Sequence, residues 1–358
     1  MTGAVSTTGP GALRVDDAER WAHGILPSVS RTFALSIRFL PGILGRAVGT
    51  AYLLCRIADT IEDDGTMSAM RKGELFDDFR RALDDEGAAN AFPGLAQDVT
   101  GDPAHVELLR NTHQVCLLLR SLPERTRAIV VHWVAEMIVG MRKFVGLYPK
   151  GIRIQTLAEY REYCYYVAGT VGCMLTELWR EHARSIGERE YAALWERCQK
   201  FGEALQTVNI LKDIAWDAEH ENAIYIPAGS LAEHGSGHDT LLDAAHMEGN
   251  KAAVGSFIAL AWQDLDEALE YLYRVPRRAV AIRAFCVLPL LYAYATLRDL
   301  SASRSMLGAG GSVKISRSEV RSLMVFGLAA VCSNALLRAL VDRVKRGPFT
   351  PLPAAART

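Results

Sequence analysis

Two acidic runs, each laid along one face of a helix, do most to limit what this chain can fold into. In the first, Asp59, Glu62, Asp63 and Asp64 directly follow the apolar run Ala51-Tyr52-Leu53-Leu54 and the pair Cys55-Arg56. At about 100° per residue, Asp59, Glu62 and Asp63 share one side of a helix, with Arg56 and Tyr52 one and two turns back. In the second, Asn209, Asp213 and Asp217 are spaced i, i+4, i+8 in an apolar helical context, again on one face. Neighbouring carboxylates repel and weaken a helix unless a cation lies between them. A lone run of this kind is more often a solvated helix end, but two of them pointed at each other make a cage for metal-bound diphosphates. Oxygen ligands projected into a cavity suit Mg²⁺, which is held by a few carboxylates together with substrate phosphates. The candidate metal ligands are therefore Asp59, Glu62, Asp63, Asn209, Asp213 and Asp217.

Half of the 358 residues are hydrophobic, enough for a large interior, and the formal net charge is −1. Such a balance argues against a nucleic-acid partner and against strong attraction to an anionic membrane. The seven cysteines are scattered without a CxxC, which reads as reduced core thiols of a cytoplasmic protein. The nine histidines form no HExxH, so a zinc site is not expected. Met1 to Pro10 lacks the basic and apolar regions of a signal peptide. The nearest approach to a membrane span, Leu323 to Leu337, is bracketed by Arg321 and Arg338 and is too short. A soluble, cytoplasmic protein is expected, with any membrane contact peripheral and made through the apolar face of residues 319–340.

Apolar periodicity predicts helices almost throughout, and strand-type alternation is nearly absent. Residues 1–14 read as a disordered tail, 15–345 as one all-α domain around a central cavity, and 346–358 as a C-terminal tail. Ser30 is the candidate N-cap of a helix starting at Arg31. Helices are expected over 67–83, 104–121, 124–147, 157–179, 189–217, 239–247, 251–273, 277–300 and 316–345, with a loose segment over 84–103 and an extended piece over 223–227. Gly169 and Gly172 lie inside one of these helices. Each costs about 1 kcal/mol relative to Ala there, which predicts a kink, tight packing or close ligand approach.

With both acidic runs in view, the chain resembles the head-to-head prenyl synthases, the squalene and phytoene synthase family. The likeness runs in blocks over most of residues 28–340. Val29-Ser30-Arg31-Thr32-Phe33 resembles the family's Ser-Arg-Ser-Phe entry to the diphosphate site. Tyr52 through Asp64 resembles its first aspartate-rich motif, and Gln206 through Asp217 its second. Tyr163 through Gly172 resembles its Tyr-Val-Ala-Gly-x-Val-Gly block. Phe285-Cys286-Val287-Leu288-Pro289 and Val313-Lys314-Ile315 are similar to segments of the squalene-forming branch. Phytoene and dehydrosqualene synthases tend to carry an arginine where this chain has Ser312. Three places depart from the pattern. Lys212 stands for the usual Arg, Trp216 for the usual Glu, and Ser316 for an Arg that here comes one step late, as Arg317.

The resemblance implies an isoprenoid synthase fold and a two-step reaction. Two farnesyl diphosphates condense to presqualene diphosphate with Mg²⁺, and NADPH then reduces it to squalene. Ser30, Arg31, Arg56, Gln206, Asn209 and Lys212 correspond to substrate-binding positions. Arg31 and Arg56 offer forked donors to phosphate oxygens. Tyr166 corresponds to the group that removes a proton or steers the cation, with Tyr52 as a second candidate. Phe285 corresponds to a lining residue of the second half-reaction, and Lys314 with Arg317 to NADPH contacts. A non-reducing member stopping at presqualene diphosphate, dehydrosqualene or phytoene is an alternative, as is a non-catalytic isoprenoid-binding protein.

Overall fold

A computed structural model describes residues 14–303, 306–308 and 313–352, apart from the side chain of Arg31. Of the tails expected at 1–14 and 346–358, residues 1–13 and 353–358 lie outside the described residues, as does Ser312, while Arg346 ends the helix Asn334–Arg346 and Phe349 N–H donates to Glu319 Oε1 at 2.8 Å. The described residues are all-α. Helices α1 (Val15–Val29), α2 (Arg31–Ile37), α3 (Gly42–Glu62) and α4 (Ala69–Asp84) are followed by α5 (Glu86–Leu95), α6 (Pro103–Arg110), α7 (Thr112–Ser121) and α8 (Glu124–Leu147). Next come α9 (Leu157–Cys164), α10 (Thr170–His182), α11 (Glu188–Trp216) and α12 (Ala228–Ala232). The chain ends with α13 (Met247–Arg274), α14 (Val280–Ala302), α15 (Arg317–Ala330) and α16 (Asn334–Arg346).

Local chemistry sets many of the helix starts. Ser30, Ser68, Asp85, Asp102, Thr156, Ser316 and Ser333 each accept a backbone N–H of the first turn. A cap of this kind is worth about 1 kcal/mol. The segment expected to be loose over 84–103 contains a helix, α5, because Asp85 caps it and Phe92 buries its ring against Phe79. The helix expected over 104–121 is broken at Asn111, and the one over 316–345 at Val331–Ser333, where Ser333 caps α16. The helix expected over 239–247 is two short 3₁₀ turns, His238–Thr240 and Ala244–His246. The extended piece pairs with residues 152–154: Ile224 N–H donates to Ile152 O at 2.9 Å and Ile154 N–H to Ile224 O at 3.2 Å.

The interior glycines bear out the expectation of tight packing, and Gly172 also lines the cavity described below. Between α9 and α10 the chain makes one π-helical turn, Tyr165–Gly169. Beyond it α10 and α11 cross so closely that a Cβ on Gly172 would collide with the Cys198 carbonyl oxygen. A Cβ on Gly202 would likewise strike that of Ala168. Helix α14 is long and apolar enough to cross a membrane by composition, but 83% of its most apolar window is buried inside the fold. It is a core helix here, and Arg283 near its start, itself fully buried, donates to the carbonyls of Val331, Leu272 and Val275 and to Asn334 Oδ1.

Candidate active site

Helices α2, α3, α10, α11 and α14 leave between them a cavity of about 950 Å³. Both acidic rows open into it. Helix α3 contributes Asp59 and Glu62 from its C-terminal end and Asp63 as its C-cap, and α11 contributes Gln206, Asn209, Lys212 and Asp213. Asp217 begins a second π-helical turn, Asp217–Glu221, that continues α11. Much of the remaining wall is apolar, with Phe33, Ile37, Val171, Leu175, Phe285 and Pro289 among its residues.

The four acids of the first run have separate surroundings. Asp59 lies 3.4 Å from Arg56, and both side chains are only partly buried. Glu62 is 6% exposed and accepts the Tyr163 hydroxyl at 3.0 Å on Oε2, while its Oε1 is buried with no hydrogen-bond partner. Asp63 is half-buried at the cavity wall. Asp64 turns away to clamp loops: it accepts the backbone N–H groups of Thr66, Met67 and Thr100 at 2.7–3.0 Å. Those bonds outweigh burial and hold its pKa below the usual value.

Electrostatics bind the other acids into one cluster. Burial, then Asp63 and Asp59, push Glu62 up to about 8. Burial, then Asp213 and Asp63, push Asp217 to about 8. Asp59 is raised by burial against the pull of Arg56, and Asp63 by burial, Glu221 and Asp59. Carboxylates that raise one another across a cavity, with one buried oxygen unpartnered, fit a site made to hold cations. Among the described residues no three such groups converge tightly enough to hold one ion alone. Ions held here therefore take further oxygens from substrate or water, which is the usual habit of Mg²⁺.

The basic and polar residues fall on the same wall. Ser30 lines the cavity and caps α2, its Oγ accepting Phe33 N–H at 3.1 Å. Arg56 donates to the Tyr52 hydroxyl at 3.3 Å, and its Nε is buried without a partner. Burial works against its charge, but Asp59 and Tyr52 outweigh that and raise its pKa. Lys212 reaches Asn209 Oδ1 and Asp213 Oδ2, both at 2.9 Å, so it sits within the second row. Phe285 is 2% exposed, with its ring 6.4 Å from Phe33 and 5.5 Å from Trp179.

The Arg31 side chain lies outside the described residues, and among the described side chains three expected residues do not line the cavity. Tyr166 faces α8, where a Cβ on Gly140 would enter its ring. Tyr166 lies in the π-helical turn Tyr165–Gly169, and it is Tyr163, in α9, that reaches the acids. Lys314 and Arg317 are exposed outside the wall, while Val313 and Ile315 beside Lys314 pack on the core. Ser316 is the N-cap of α15, with its Oγ accepting Glu319 N–H at 3.2 Å.

Sequence reasoning missed Glu221 and Tyr225. Glu221 lines the cavity, and burial, then Asp217 and Glu62, push it to about 8. Tyr225 stacks on Tyr163 at 4.8 Å, and the two hydroxyl oxygens lie 3.2 Å apart. The i+4 step from Asp217 to Glu221 was the signal for the first of these.

The family model of squalene/phytoene synthases matches residues 26–319. A squalene synthase of Schizosaccharomyces pombe is 28% identical over 280 residues, 78% of this chain and 58% of that protein. One of Bos taurus is 26% identical over 322 residues, 89% of this chain and 72% of that protein. The chain thus spans little more than half the length of the first relative. A solved complex of TcSQS with a ligand superposes with a TM-score of 0.77 at 22% identity, over 92% of this chain and 98% of that one. A dehydrosqualene synthase with ligand gives 0.60 at 19%, over 93% and 98%. At these identities the two structures speak to the fold.

Proposed function

From a chain that belongs to the squalene/phytoene synthase family, we propose a squalene synthase, which joins two farnesyl diphosphates into presqualene diphosphate and reduces this with NADPH to squalene. The observation that carries the reading is the convergence of two acidic rows on one cavity whose remaining wall is largely apolar. Asp59, Glu62, Asp63, Asn209, Asp213 and Asp217 are the residues we assign to hold Mg²⁺, and the unpartnered Glu62 oxygen supports this. Bound Mg²⁺ supplies positive charge to the departing diphosphate. Arg56, with Ser30, Arg31, Gln206 and Lys212, holds and orients the phosphate oxygens.

Phe33, Leu175 and Phe285 keep water from the allylic cation, which it would quench as an alcohol. We assign the steering of that cation to Tyr52 rather than Tyr166. Tyr52 lines the cavity one turn from Arg56, and Tyr166 stands outside it. Lys314 and Arg317 are assigned to the NADPH phosphates, from a segment outside the wall that must close to reach the cavity. We place the protein in the cytoplasm, with peripheral membrane contact through the exposed Val325, Phe326 and Leu336 of α15 and α16.

One observation favours a second reading. Ser316 caps a helix where the branch carries arginine, and Lys314 stands off the cavity wall, so a protein that releases presqualene diphosphate or a dehydro product is the rival. Incubation of the purified protein with Mg²⁺ and farnesyl diphosphate, with and without NADPH, tests both. Squalene formed only with NADPH supports the first reading, and the same product in both arms supports the second. No product in either arm overturns both.

A further inference from the structure

Away from the acidic rows, two thiols meet where α10 and α11 cross. Cys173 and Cys198 are 25 residues apart in the chain, and their Sγ atoms lie 3.4 Å from each other. Neither residue lines the main cavity, and they are 5% and 1% exposed. Cys198 Sγ also donates to Trp195 O at 3.2 Å, and Trp195 is itself exposed, so the pair lies close beneath the surface.

Backbone geometry brings the two sulfurs together. A Cβ on Gly172 would lie 1.9 Å from the Cys198 carbonyl oxygen, so the position beside Cys173 touches the backbone of Cys198 itself. Thr176, three residues on, donates to Gly172 O at 2.9 Å, and its Oγ1 lies 2.8 Å from the hydroxyl of Tyr271 in α13. Helix α10 is thus held at this crossing from a third helix. A disulfide asks for Cα atoms about 4.4–6.8 Å apart, a demand that suits so close a crossing. Its S–S length of about 2.05 Å needs the sulfurs to close by roughly 1.4 Å from their 3.4 Å contact. Because the backbones are already in contact at Gly172, side-chain rotation supplies that movement and the helices keep their places.

The residues around the pair show what a bond there would hold. Gly172, Met174 and Leu175 of α10, with Phe201 and Gly202 of α11, line the main cavity. The two thiols sit behind that wall.

We propose that Cys173 and Cys198 are a redox lock: a small peroxide joins them in a reversible disulfide that bolts α10 to α11 behind the cavity wall. One sulfur attacks the peroxide, an S–O bond forms, the O–O bond breaks, and the displaced hydroxide leaves as water with that thiol's proton. The second sulfur attacks the sulfenic sulfur, the S–S bond forms, the S–O bond breaks, and a second water leaves with the second thiol's proton. Two thiols are oxidised to one disulfide, and one peroxide is reduced to two waters. Burial selects the oxidant, since a peroxide reaches sulfurs that a bulky disulfide does not. In a reducing compartment such a bond is transient and thiols reverse it. The lock is independent of the reaction proposed above.

Hydrogen peroxide is the probe, applied to the folded, purified full chain carrying Cys332→Ser, which removes an exposed thiol able to join two molecules. Thiols are then alkylated in denaturant and counted by intact mass, and linked peptides are identified after proteolysis. The treated protein should lose two alkylatable thiols and yield a peptide pair joining Cys173 to Cys198, and dithiothreitol should reverse both changes. Its melting temperature should rise by roughly 5 °C, because the bond closes a loop of 25 residues in the unfolded chain. Cys173→Ser and Cys198→Ser should each abolish the cross-link and the shift. The cross-link is read in the unsubstituted pair, so a variant that misfolds leaves the test decisive. Both thiols still free after a peroxide dose that fully oxidises Cys332 in the parent chain overturn the lock. So does a Cys173–Cys198 bond that forms only once denaturant has unfolded the chain, or one that leaves the melting temperature unchanged.

Discussion

Tyr163 donates its hydroxyl hydrogen to Glu62 Oε2 at 3.0 Å, across a separation of 101 residues. The bond ties the end of α9 to the end of α3 and, among the described residues, gives the buried Glu62 its one side-chain donor. Tyr163→Phe leaves that carboxylate oxygen unmet, a loss of about 1–3 kcal/mol. Denaturant unfolding of the metal-free protein should show a lower midpoint at unchanged slope. A midpoint equal to wild type would mean that water replaces the hydroxyl.

Asp59→Asn and Asp213→Asn each remove a carboxylate from one row. Both should suppress condensation by orders of magnitude while leaving the far-ultraviolet circular dichroism unchanged. The loss belongs in kcat, since charge on the leaving group grows toward the transition state. Near-wild-type turnover with magnesium still required would rule out the shared cage.

The pH dependence of the metal-free protein follows from its raised carboxyls. Burial and neighbouring carboxylates push Glu62, Asp217 and Glu221 up to about 8 in the fold, against ordinary values of 4.5, 3.8 and 4.5. Folded pKa values above the unfolded ones mean that the native state binds more protons between these limits, so stability falls as pH rises. Melting temperature should drop from pH 5 to pH 8 and level off above. Saturating Mg²⁺ with pyrophosphate should flatten the slope. A metal-free melting temperature that rises across this range contradicts the cluster.

Lys314→Ala tests the reductive step. Presqualene diphosphate should form at nearly the wild-type rate, and its conversion to squalene should slow, with a higher KM for NADPH. Equal loss of both half-reactions would assign Lys314 to phosphate binding or to structure.

Gly172→Ala and Gly202→Ala place a methyl group against a backbone carbonyl of the neighbouring segment. The Cys198 carbonyl belongs to α11 and the Ala168 carbonyl to the turn before α10, and neither can move without parting that segment from its neighbour. Overpacking of this kind costs about 1–3 kcal/mol or more, and both variants should melt several degrees below wild type. Gly24→Ala, with nothing within 4 Å of its Cβ, is the control and should not be destabilised.

Helical periodicity, the N-cap at Ser30 and the acidic faces were legible in the chain, because i, i+3 and i+4 relations are local and follow from 3.6 residues per turn. So was the crowding around Gly172, since a glycine inside an apolar helix already signals a close neighbour. Which acid does what was not legible. Asp59 and Asp63 open to the cavity, Glu62 turns to Tyr163 and Asp64 clamps Thr100, and these fates depend on partners distant in sequence. The tyrosines were decided the same way: Tyr163 reaches Glu62 and Tyr166 packs beside Gly140, through contacts with α3 and α8 that no local spacing announces. Glu221 needed the whole fold, because Arg153 and Gly65 hold its turn from either side. The sequence by itself determined the helices and the faces they carry. Tertiary structure alone decided which side chains on those faces meet, because that depends on how helices far apart in the chain cross, and on every backbone irregularity that re-aims them.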